Sequence, residues 1–448
     1  MKIYGKGTVL TFDQDSTVIK DGGVVIKGEE IIDLGKTEEL KEKYPDAEFK
    51  DVRGKVIMPG MINTHMHLYS TFARGMDLKT ARPPQDFVDI LEKLWWRLDR
   101  NMNEKDVYYS ALFAILDGIK NGTTTIFDHH ASYGMIDGAL DIIADTVRET
   151  GIRANLSFEI SDRHGPEQAG KAIRENARFI KKIEQQQAGR DRNKYLGRMI
   201  GLHASFTLED ETLEKIAALS EELKTPIHIH TAEGWADVAD SQKKGFTGVV
   251  ERLDRYNLWQ PDSLAIHGVH LQEGEIGILK ENQVNLIHNP ESNMGNAVGA
   301  APIKKALDQG LTVGLGTDGY TTDMFESINV ANLLQSHQQS HPSAGGDETY
   351  QMAFNNNHRI ASKYFGVPLG VLKPGAAADF IIVDYQSPTP IKAENAFGHI
   401  LMGFSGGLVD STIVGGRVLM ENREVKVLDN EKIYRKCREQ ARDFWQRF

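Results

Sequence analysis

Short apolar runs of strand-like composition recur eight times between residues 61 and 319, and segments with helical spacing of apolar residues separate them. Segment 103–122, for example, repeats apolar residues at helical spacing and ends at a glycine. Strands that alternate with helices form parallel sheets. Eight such units in roughly 300 residues predict a (β/α)8 barrel. The eight runs are 61–67, 123–128, 153–158, 199–206, 226–233, 264–270, 284–290 and 311–319.

The two ends of the chain have a different pattern, because strand-like runs and turn residues replace the alternation of strands and helices. We expect the two ends to pair into one small β-sandwich beside the barrel. The predicted fold class is therefore α/β, a TIM barrel with a small β-sandwich built from the N- and C-terminal segments. The predicted division is 1–57 and 371–427 for the β-sandwich, 58–370 for the (β/α)8 barrel and 428–448 for a C-terminal helix.

Composition limits the classes of function. The 448 residues carry a net charge of -11, which argues against a nucleic-acid partner because such proteins present a basic face. A single cysteine, Cys437, excludes an internal disulfide framework and a cysteine-based zinc site. No run approaches the length of a membrane span, and the first residues lack the apolar core of a signal peptide. We therefore expect a cytoplasmic protein without a membrane partner.

Histidines and carboxylates gather at the ends of the predicted strands. His65 and His67 end the first strand, and their spacing places both side chains on one face. By itself this pair favours an ordinary interpretation as polar residues in a half-buried site. The C-terminal ends of barrel strands meet at one mouth, however, where catalytic residues come together. The later strands carry further candidate residues at or near their C-terminal ends: His228, His230, Glu233, His267, His270, His288 and Asp318.

Three imidazoles and one carboxylate of this group suit a single divalent metal, zinc or iron(II), with one position left for water. A metal lowers the pKa of bound water towards about 7, which makes hydroxide available at neutral pH. The predicted ligands are His65, His67, His230 and Asp318. Asp318 could also accept the proton of that water. Glu233 is placed to act as a general acid on a ring nitrogen, and His267 could orient the water or polarise the reacting oxygen.

Several of these residues also have a purely structural explanation. His228 shares a strand face with His230, but a packed histidine is the default interpretation of that position. Asp318 lies in the run GLGTDG and could be a turn residue. His203 and His288 are candidates for substrate contact at the mouth of the barrel. The pair His129–His130 ends the second strand, and a role for it in the site has weaker support.

The motifs VIMPGMINTHMHL, HTAE, AIHGVH, HNPESNMGNAVGAAPI and GLGTDG resemble those of the amidohydrolase superfamily, and LGVLKPGAAADFIIVD extends the resemblance over essentially the whole chain. The most similar branch is the chlorohydrolase/deaminase group that contains guanine deaminase, S-adenosylhomocysteine deaminase and triazine hydrolases. The resemblance implies a mononuclear metal site with the four ligands named above, Glu233 and His267 as catalytic partners, and a homodimer. The run YSTFARGM keeps the family's Arg-Gly pair, which makes Arg74 a candidate for substrate contact.

Departures from the family pattern concern the loops on the substrate side. Binuclear relatives carry a carboxylated lysine at the end of strand 4, whereas the run MIGLHASF has only His203 there. Ser205 replaces the usual proline of that loop, and the runs DHHAS and GYTTDMFES are also unusual. These differences leave the substrate open but not the chemistry.

The expected function is hydrolysis of a C–N bond in a purine-like nitrogen heterocycle, with release of ammonia. The alternative enzyme is a cyclic amidohydrolase that opens the ring of an oxidised purine or related cyclic amide. A non-catalytic scaffold should have lost metal ligands, and this chain keeps all of them. A subunit that is active only within a larger metabolic complex is a further alternative that the sequence does not exclude.

Overall fold

The computed structural model describes residues 1–188 and 195–448. In chain order the strands are β1 Lys2–Leu10, β2 Val18–Lys27, β3 Glu30–Lys36, β4 Glu48–Asp51, β5 Val56–Pro59, β6 Met61–Met66, β7 Thr123–His130, β8 Arg153–Ile160, β9 Leu196–Arg198, β10 Ile200–Ala204, β11 Ile227–Thr231, β12 Leu264–His267, β13 Asn285–His288, β14 Thr312–Leu315, β15 Phe380–Val383, β16 Val409–Val414, β17 Arg417–Glu421 and β18 Glu424–Val425.

The α-helices are α1 Thr37–Lys43, α2 Phe87–Ile90, α3 Trp96–Asn101, α4 Glu104–Lys120, α5 Ala139–Thr150, α6 Pro166–Ala188, α7 Asp210–Leu223, α8 Trp235–Lys243, α9 Val249–Arg255, α10 Glu275–Glu281, α11 Pro290–Gly295, α12 Ile303–Asp308, α13 Met324–Gln339, α14 Gly346–Tyr350, α15 Asn357–Phe365, α16 Ala396–Gly403 and α17 Asn430–Arg447. Segments Leu68–Ala73, Ser205–Thr207 and Gly406–Leu408 form 3-10 turns, and Leu91–Trp95 and Gln351–Asn356 form π-helical turns.

A parallel barrel forms the centre of the structure. Its strands lie in the order β6, β7, β8, β10, β11, β12, β13, β14, and β9 pairs beside β8. The last strand returns to the first, because Met66 and Asp318 form a parallel bridge and Thr64 Oγ1 donates to the carbonyl of Leu315 at 2.9 Å. The predicted (β/α)8 barrel is confirmed, with a strand in each of the eight predicted runs.

Local sequence explains these elements. Strands β8 and β13 are buried at every residue, as expected where helices cover a parallel barrel and side chains fill its interior. Helix α4 begins at a capping box, in which Asn103 accepts from the amide of Asp106 and Asp106 accepts from the amide of Asn103. After α4, Gly122 adopts a φ of 84°, which glycine tolerates and which turns the chain into β7.

The two ends of the chain form one mixed sheet, as predicted. Its strand order is β18, β17, β16, β15, β5, β1, β2, β3, and β4 pairs with β1. The two ends share one hydrophobic core, in which the ring of Tyr4 packs edge-on against Phe380 with centroids 5.1 Å apart. The amide of Ile31 also donates to the carbonyl of Ala376 at 2.9 Å. Residues from both ends therefore stabilise the same core.

The chain passes from this sheet into the barrel at Gly60. Strand β5 pairs within the sheet up to Pro59, and β6 begins at Met61. A Cβ atom at Gly60 would lie 2.1 Å from Cγ2 of Thr124. Only glycine therefore fits at this crossing.

The C-terminal helix α17 supports the segment that follows His67. Trp445 Nε1 donates to the carbonyl of Phe72 at 2.7 Å, and Arg447 forms an ion pair with Asp106 on α4 at 2.7 Å. Among the described residues, no helix has the length and apolar character needed to cross a membrane.

A buried ion pair connects barrel and sheet. Arg153 opens β8, and its guanidinium donates to the two carboxylate oxygens of Asp379 at 2.5 and 3.1 Å. Asp379 also accepts from the amide of Gly415 at 2.6 Å. Both side chains are almost fully buried, with 1% and 2% exposed.

We predict that Asp379→Ala lowers the free energy of unfolding by about 3–5 kcal/mol, because the buried guanidinium loses its carboxylate partner. Denaturant unfolding followed by circular dichroism measures the change. Asp308→Ala is the matched control, since Asp308 pairs with Lys304 on the exposed face of α12 and its loss should change little. Equal stability of the Asp379→Ala variant and the wild type would contradict the prediction.

Candidate active site at the C-terminal end of the barrel

Imidazoles from three strands meet the carboxylate of Asp318 at the C-terminal end of the barrel. The Nε2 atoms of His67 and His230 are 3.2 Å apart. Asp318 Oδ1 lies 3.1 Å from His67 Nε2 and 3.8 Å from His65 Nε2. The candidate ligand atoms of His65, His67 and His230 lie within 4.8 Å of one another, and so do those of His65, His267 and Asp318. The fold thus brings the four predicted metal ligands and His267 together.

Hydrogen bonds at Nδ1 orient the three histidines. His67 Nδ1 donates to the carbonyl of His129 at 2.6 Å, and His230 Nδ1 donates to the carbonyl of His203 at 2.8 Å. His65 Nδ1 instead contacts Nε2 of a side chain, His228, at 2.8 Å. With each Nδ1 engaged in this way, the Nε2 atoms face the common space.

The loop after β14 places Asp318 by its backbone. The amides of Thr317 and Asp318 both donate to the carbonyl of His65, each at 3.0 Å. Asp318 adopts a φ of 55°, and His267 at the end of β12 adopts a φ of 74°. Such values are uncommon outside glycine, and they cluster at functional sites where the surrounding structure holds them.

The cluster fits a divalent metal. His65 Nε2 and His267 Nε2 are buried and have no hydrogen-bond partner within the described part of the chain. Buried polar atoms normally find a partner, so a ligand that accepts their lone pairs would remove this cost. Burial lowers the pKa of His65 well below its usual value, and the nearby imidazoles add to this effect. A neutral imidazole is the form that binds metal ions.

A second carboxyl group, Glu233, lies beside the cluster. Glu233 Oε2 is 3.3 Å from His267 Nε2, and Glu233 Oε1 accepts from Asn296 Nδ2 at 3.4 Å. Burial raises the pKa of Glu233 well above its usual value, and the charge of Asp318 raises it further. Burial also opposes ionisation of Asp318, yet its hydrogen bond and charge interaction with His67 bring its pKa below the usual value. Glu233 therefore favours the protonated form and Asp318 the ionised form.

The pocket in front of these groups combines aromatic walls with polar side chains. His67, His230, Glu233 and Asp318 line it on one side. Its aromatic residues are Tyr69, Phe87, Trp95, Trp96 and Tyr320. Aromatic walls with a few convergent polar groups are typical of sites for planar small molecules.

Sequence reasoning missed an ion network in the pocket wall. The guanidinium of Arg163 forms ion pairs with Asp99 and Glu159, and all three side chains are buried pocket residues. Glu159 lies near the end of β8, so the strand-end argument could have found it. Asp99 lies in α3 and Arg163 in the loop after β8, and no motif marks either position.

The three residues predicted to contact substrate have different surroundings. His203 lines the pocket, and its Nδ1 contacts Thr207 Oγ1 at 2.8 Å. His288 is fully buried and does not line this pocket, and burial lowers its pKa to about 3. Arg74 is exposed and pairs with Asp117 at 3.0 Å, also away from the pocket lining. Of these three residues, only His203 lines the pocket.

The model of the Amidohydrolase family matches residues 56–419. The chain belongs to the amidohydrolase family. A 5'-deoxyadenosine deaminase of Methanosarcina mazei is 34% identical over 443 residues, which cover 97% of this chain and 96% of the relative. A 5-methylthioadenosine/S-adenosylhomocysteine deaminase of Pelotomaculum thermopropionicum is 32% identical over 443 residues, with coverage of 97% and 96%. These matches confirm the family that the motifs indicated.

A solved structure shares the fold of this amidohydrolase. The adenosine deaminase from Xanthomonas campestris, crystallised with bound zinc, superimposes with a TM-score of 0.84 at 22% identity. The match covers 100% of this chain and 98% of that protein. The barrel and the sheet from both chain ends therefore occur together in another member of the fold.

We predict that the purified protein holds about one zinc or iron ion per chain, as expected for a mononuclear site with an open position, and that His230→Ala loses it. Elemental analysis by mass spectrometry measures the content. His130→Ala is the control, since His130 is a buried histidine whose Nε2 contacts Ser132 Oγ outside the cluster. A metal-free wild type after reconstitution, or unchanged metal in His230→Ala, would contradict the assignment.

Proposed function

We propose that this amidohydrolase is a metal-dependent aminohydrolase that deaminates a purine-like heterocycle and releases ammonia. The observation that carries the proposal is the convergence of His65, His67, His230 and Asp318. The buried Glu233 lies beside them, in the pocket that His67, His230 and Asp318 also line. The relatives named as deaminases of 5'-deoxyadenosine and 5-methylthioadenosine, aligned over nearly the whole chain, support the same reaction.

In this proposal, one divalent metal ion would be held by four side chains, those of His65, His67, His230 and Asp318. Zinc is the first candidate, and iron(II) is the alternative because three imidazoles and a carboxylate suit both ions. When bound, the metal supplies Lewis-acid activation of water at neutral pH.

Glu233 serves as the general acid that protonates the ring nitrogen next to the reacting carbon. Asn296 donates to Oε1 of Glu233, which leaves Oε2 to carry the acidic proton. Burial of this carboxyl group, reinforced by the charge of Asp318, raises its pKa and so favours the protonated form that a general acid needs. Protonation of the ring withdraws electrons from the carbon and so favours attack by water.

Asp318 serves as the base. It remains ionised, accepts one proton of the attacking water and delivers it to the leaving nitrogen, which departs as ammonia. The second proton of the water is released as the carbonyl group forms, and it restores the neutral acid of Glu233. Two carboxyl groups whose surroundings favour opposite protonation states can divide acid and base work in this way. His267 Nδ1 donates to Asn293 Oδ1 at 2.7 Å, so its Nε2 keeps a lone pair and orients the water as a hydrogen-bond acceptor.

The aromatic walls hold the planar ring, and His203 contacts its edge. The partners that we propose are a small heterocyclic substrate and a second copy of the chain, in the cytoplasm. The homodimer follows from the family resemblance, and light scattering of the purified protein tests it.

We predict that Glu233→Gln lowers kcat/KM by about 10²–10⁴-fold, because the amide cannot deliver a proton, while the metal content stays unchanged. Ammonia release from 5'-deoxyadenosine and related adenine nucleosides measures the reaction. Glu291→Gln is the matched control, since Glu291 is a largely buried carboxyl group whose pKa burial raises to about 7, and it does not line the pocket.

Unchanged activity of Glu233→Gln would rule out its role as the acid. If wild-type enzyme opens the ring of a cyclic amide such as an oxidised purine and releases no ammonia, the cyclic amidohydrolase is the correct function. Metal-loaded enzyme that becomes active only on addition of another protein would indicate a subunit of a larger complex.

A further inference from the structure

The histidine that orients His65 differs in kind from the partners of the other two histidines. His67 and His230 are held by backbone carbonyl groups, which no substitution removes. His65 is held by the side chain of His228, at 2.8 Å between Nδ1 and Nε2. His228 is 1% exposed. One of the three orientations therefore depends on a side chain that lies outside the predicted ligand set.

We propose that His228 is a positioning residue for the metal centre: it fixes the ring of His65 so that Nε2 faces the metal. The inference rests on the metal site of the proposed function and goes beyond it by assigning a role to a residue that contacts neither metal nor substrate.

Proton accounting supports this role. Nε2 of a ligand histidine must carry a lone pair, so the ring proton of His65 lies on Nδ1. That proton is donated to Nε2 of His228, which must itself be free of a proton. His228 is then a neutral imidazole with its proton on Nδ1. The hydrogen bond thus selects the tautomer of His65 as well as the angle of its ring.

The position of His228 in the barrel explains why a side chain is used. His65 lies on β6 and His228 on β11, and these strands are not neighbours in the sheet, so the hydrogen bond crosses the barrel interior. His228 and His230 occupy alternate positions of one strand, so β11 both supplies one ligand and orients another.

Loss of the acceptor at position 228 should leave a buried N–H of His65 without a partner and release the ring from its orientation. Partners that orient metal ligands typically contribute 10–100-fold to metal affinity. We therefore expect the effect in metal binding first and in turnover as a consequence.

Two amide substitutions at position 228 have the same polarity but differ in length, so they test whether the acceptor atom must reach Nδ1 of His65. Glutamine places its amide oxygen near the position of the histidine Nε2 atom, whereas asparagine is one methylene shorter and places it near Nδ1. We expect His228→Asn and His228→Phe to bind metal 10–100-fold more weakly than wild type, and His228→Gln to remain within a few-fold of it. Competition with a chromophoric chelator measures the metal dissociation constant. The visible absorption of the Co²⁺-loaded proteins reports the ligand geometry independently of activity.

His130→Phe is the control, because it replaces a buried histidine of the barrel that has no hydrogen bond to the cluster, and it should bind metal as wild type does. Thermal unfolding of each metal-free variant checks folding, and if His228→Phe does not fold, the comparison of Gln with Asn decides. Equal metal affinity and equal Co²⁺ spectra for Gln and Asn would overturn the proposal. If wild type itself binds no metal, the proposed function fails; if wild type binds metal and His228→Asn binds it equally tightly, only this inference fails.

Discussion

The hydrogen bonds at Nδ1 of His65, His67 and His230 are the interactions on which the candidate site depends. Without them, three buried imidazoles could each expose either ring nitrogen, and several tautomers and ring orientations would compete. Two backbone carbonyl groups and one neighbouring imidazole remove that freedom before any ligand arrives. The Nε2 atoms then face one space, and Asp318 enters it from the loop after β14. Because the ring orientations are fixed before a ligand binds, binding has a smaller entropic cost.

The second requirement is that Asp318 and Glu233 remain different although they lie in the same pocket. Burial of Glu233 and the nearby charge of Asp318 favour the neutral acid, and the one hydrogen bond from Asn296 opposes this only in part. Asp318 interacts with imidazoles and accepts from the amide of Gly319 at 2.7 Å, so the anion is favoured. Because their surroundings shift the pKa values of Glu233 and Asp318 in opposite directions, one pocket can contain both a proton donor and a proton acceptor.

The sheet and the C-terminal helix contribute to the site although they lie outside the barrel. Helix α17 holds the turn that follows His67, through the hydrogen bond from Trp445 to Phe72. The Arg153–Asp379 pair and the crossing at Gly60 connect the sheet to the strands of the barrel. These contacts join segments far apart in sequence, and the contact of α17 lies at the turn that carries Tyr69, a residue of the pocket wall.

Much of the fold and of the cluster of histidines with Asp318 could be predicted from sequence, because the relevant information is local. Alternation of strand and helix patterns identified eight strands, and parallel pairing placed their C-terminal ends together. The spacing of His65 and His67 and the strand-end positions of His230 and Asp318 then indicated the cluster. A position at a strand end does not by itself show which side chains reach the pocket. His230 and His288 both lie at strand ends, yet His230 lines the pocket and His288 does not.

Contacts between non-neighbouring strands and loops were decided by the tertiary structure alone. Sequence favoured His228 as a packed histidine, and only the closed barrel shows that it reaches His65 across the interior. The ion network of Arg163 with Asp99 and Glu159 joins a helix, a strand end and a loop that no local pattern relates. Arg74 belongs to a recognisable motif, but its loop carries it to Asp117 at the surface. The sequence by itself determined which elements form and which residues end them, since these depend on periodicity and local chemistry. Which of those residues touch depends on strand stagger and loop path, which arise only when the barrel closes.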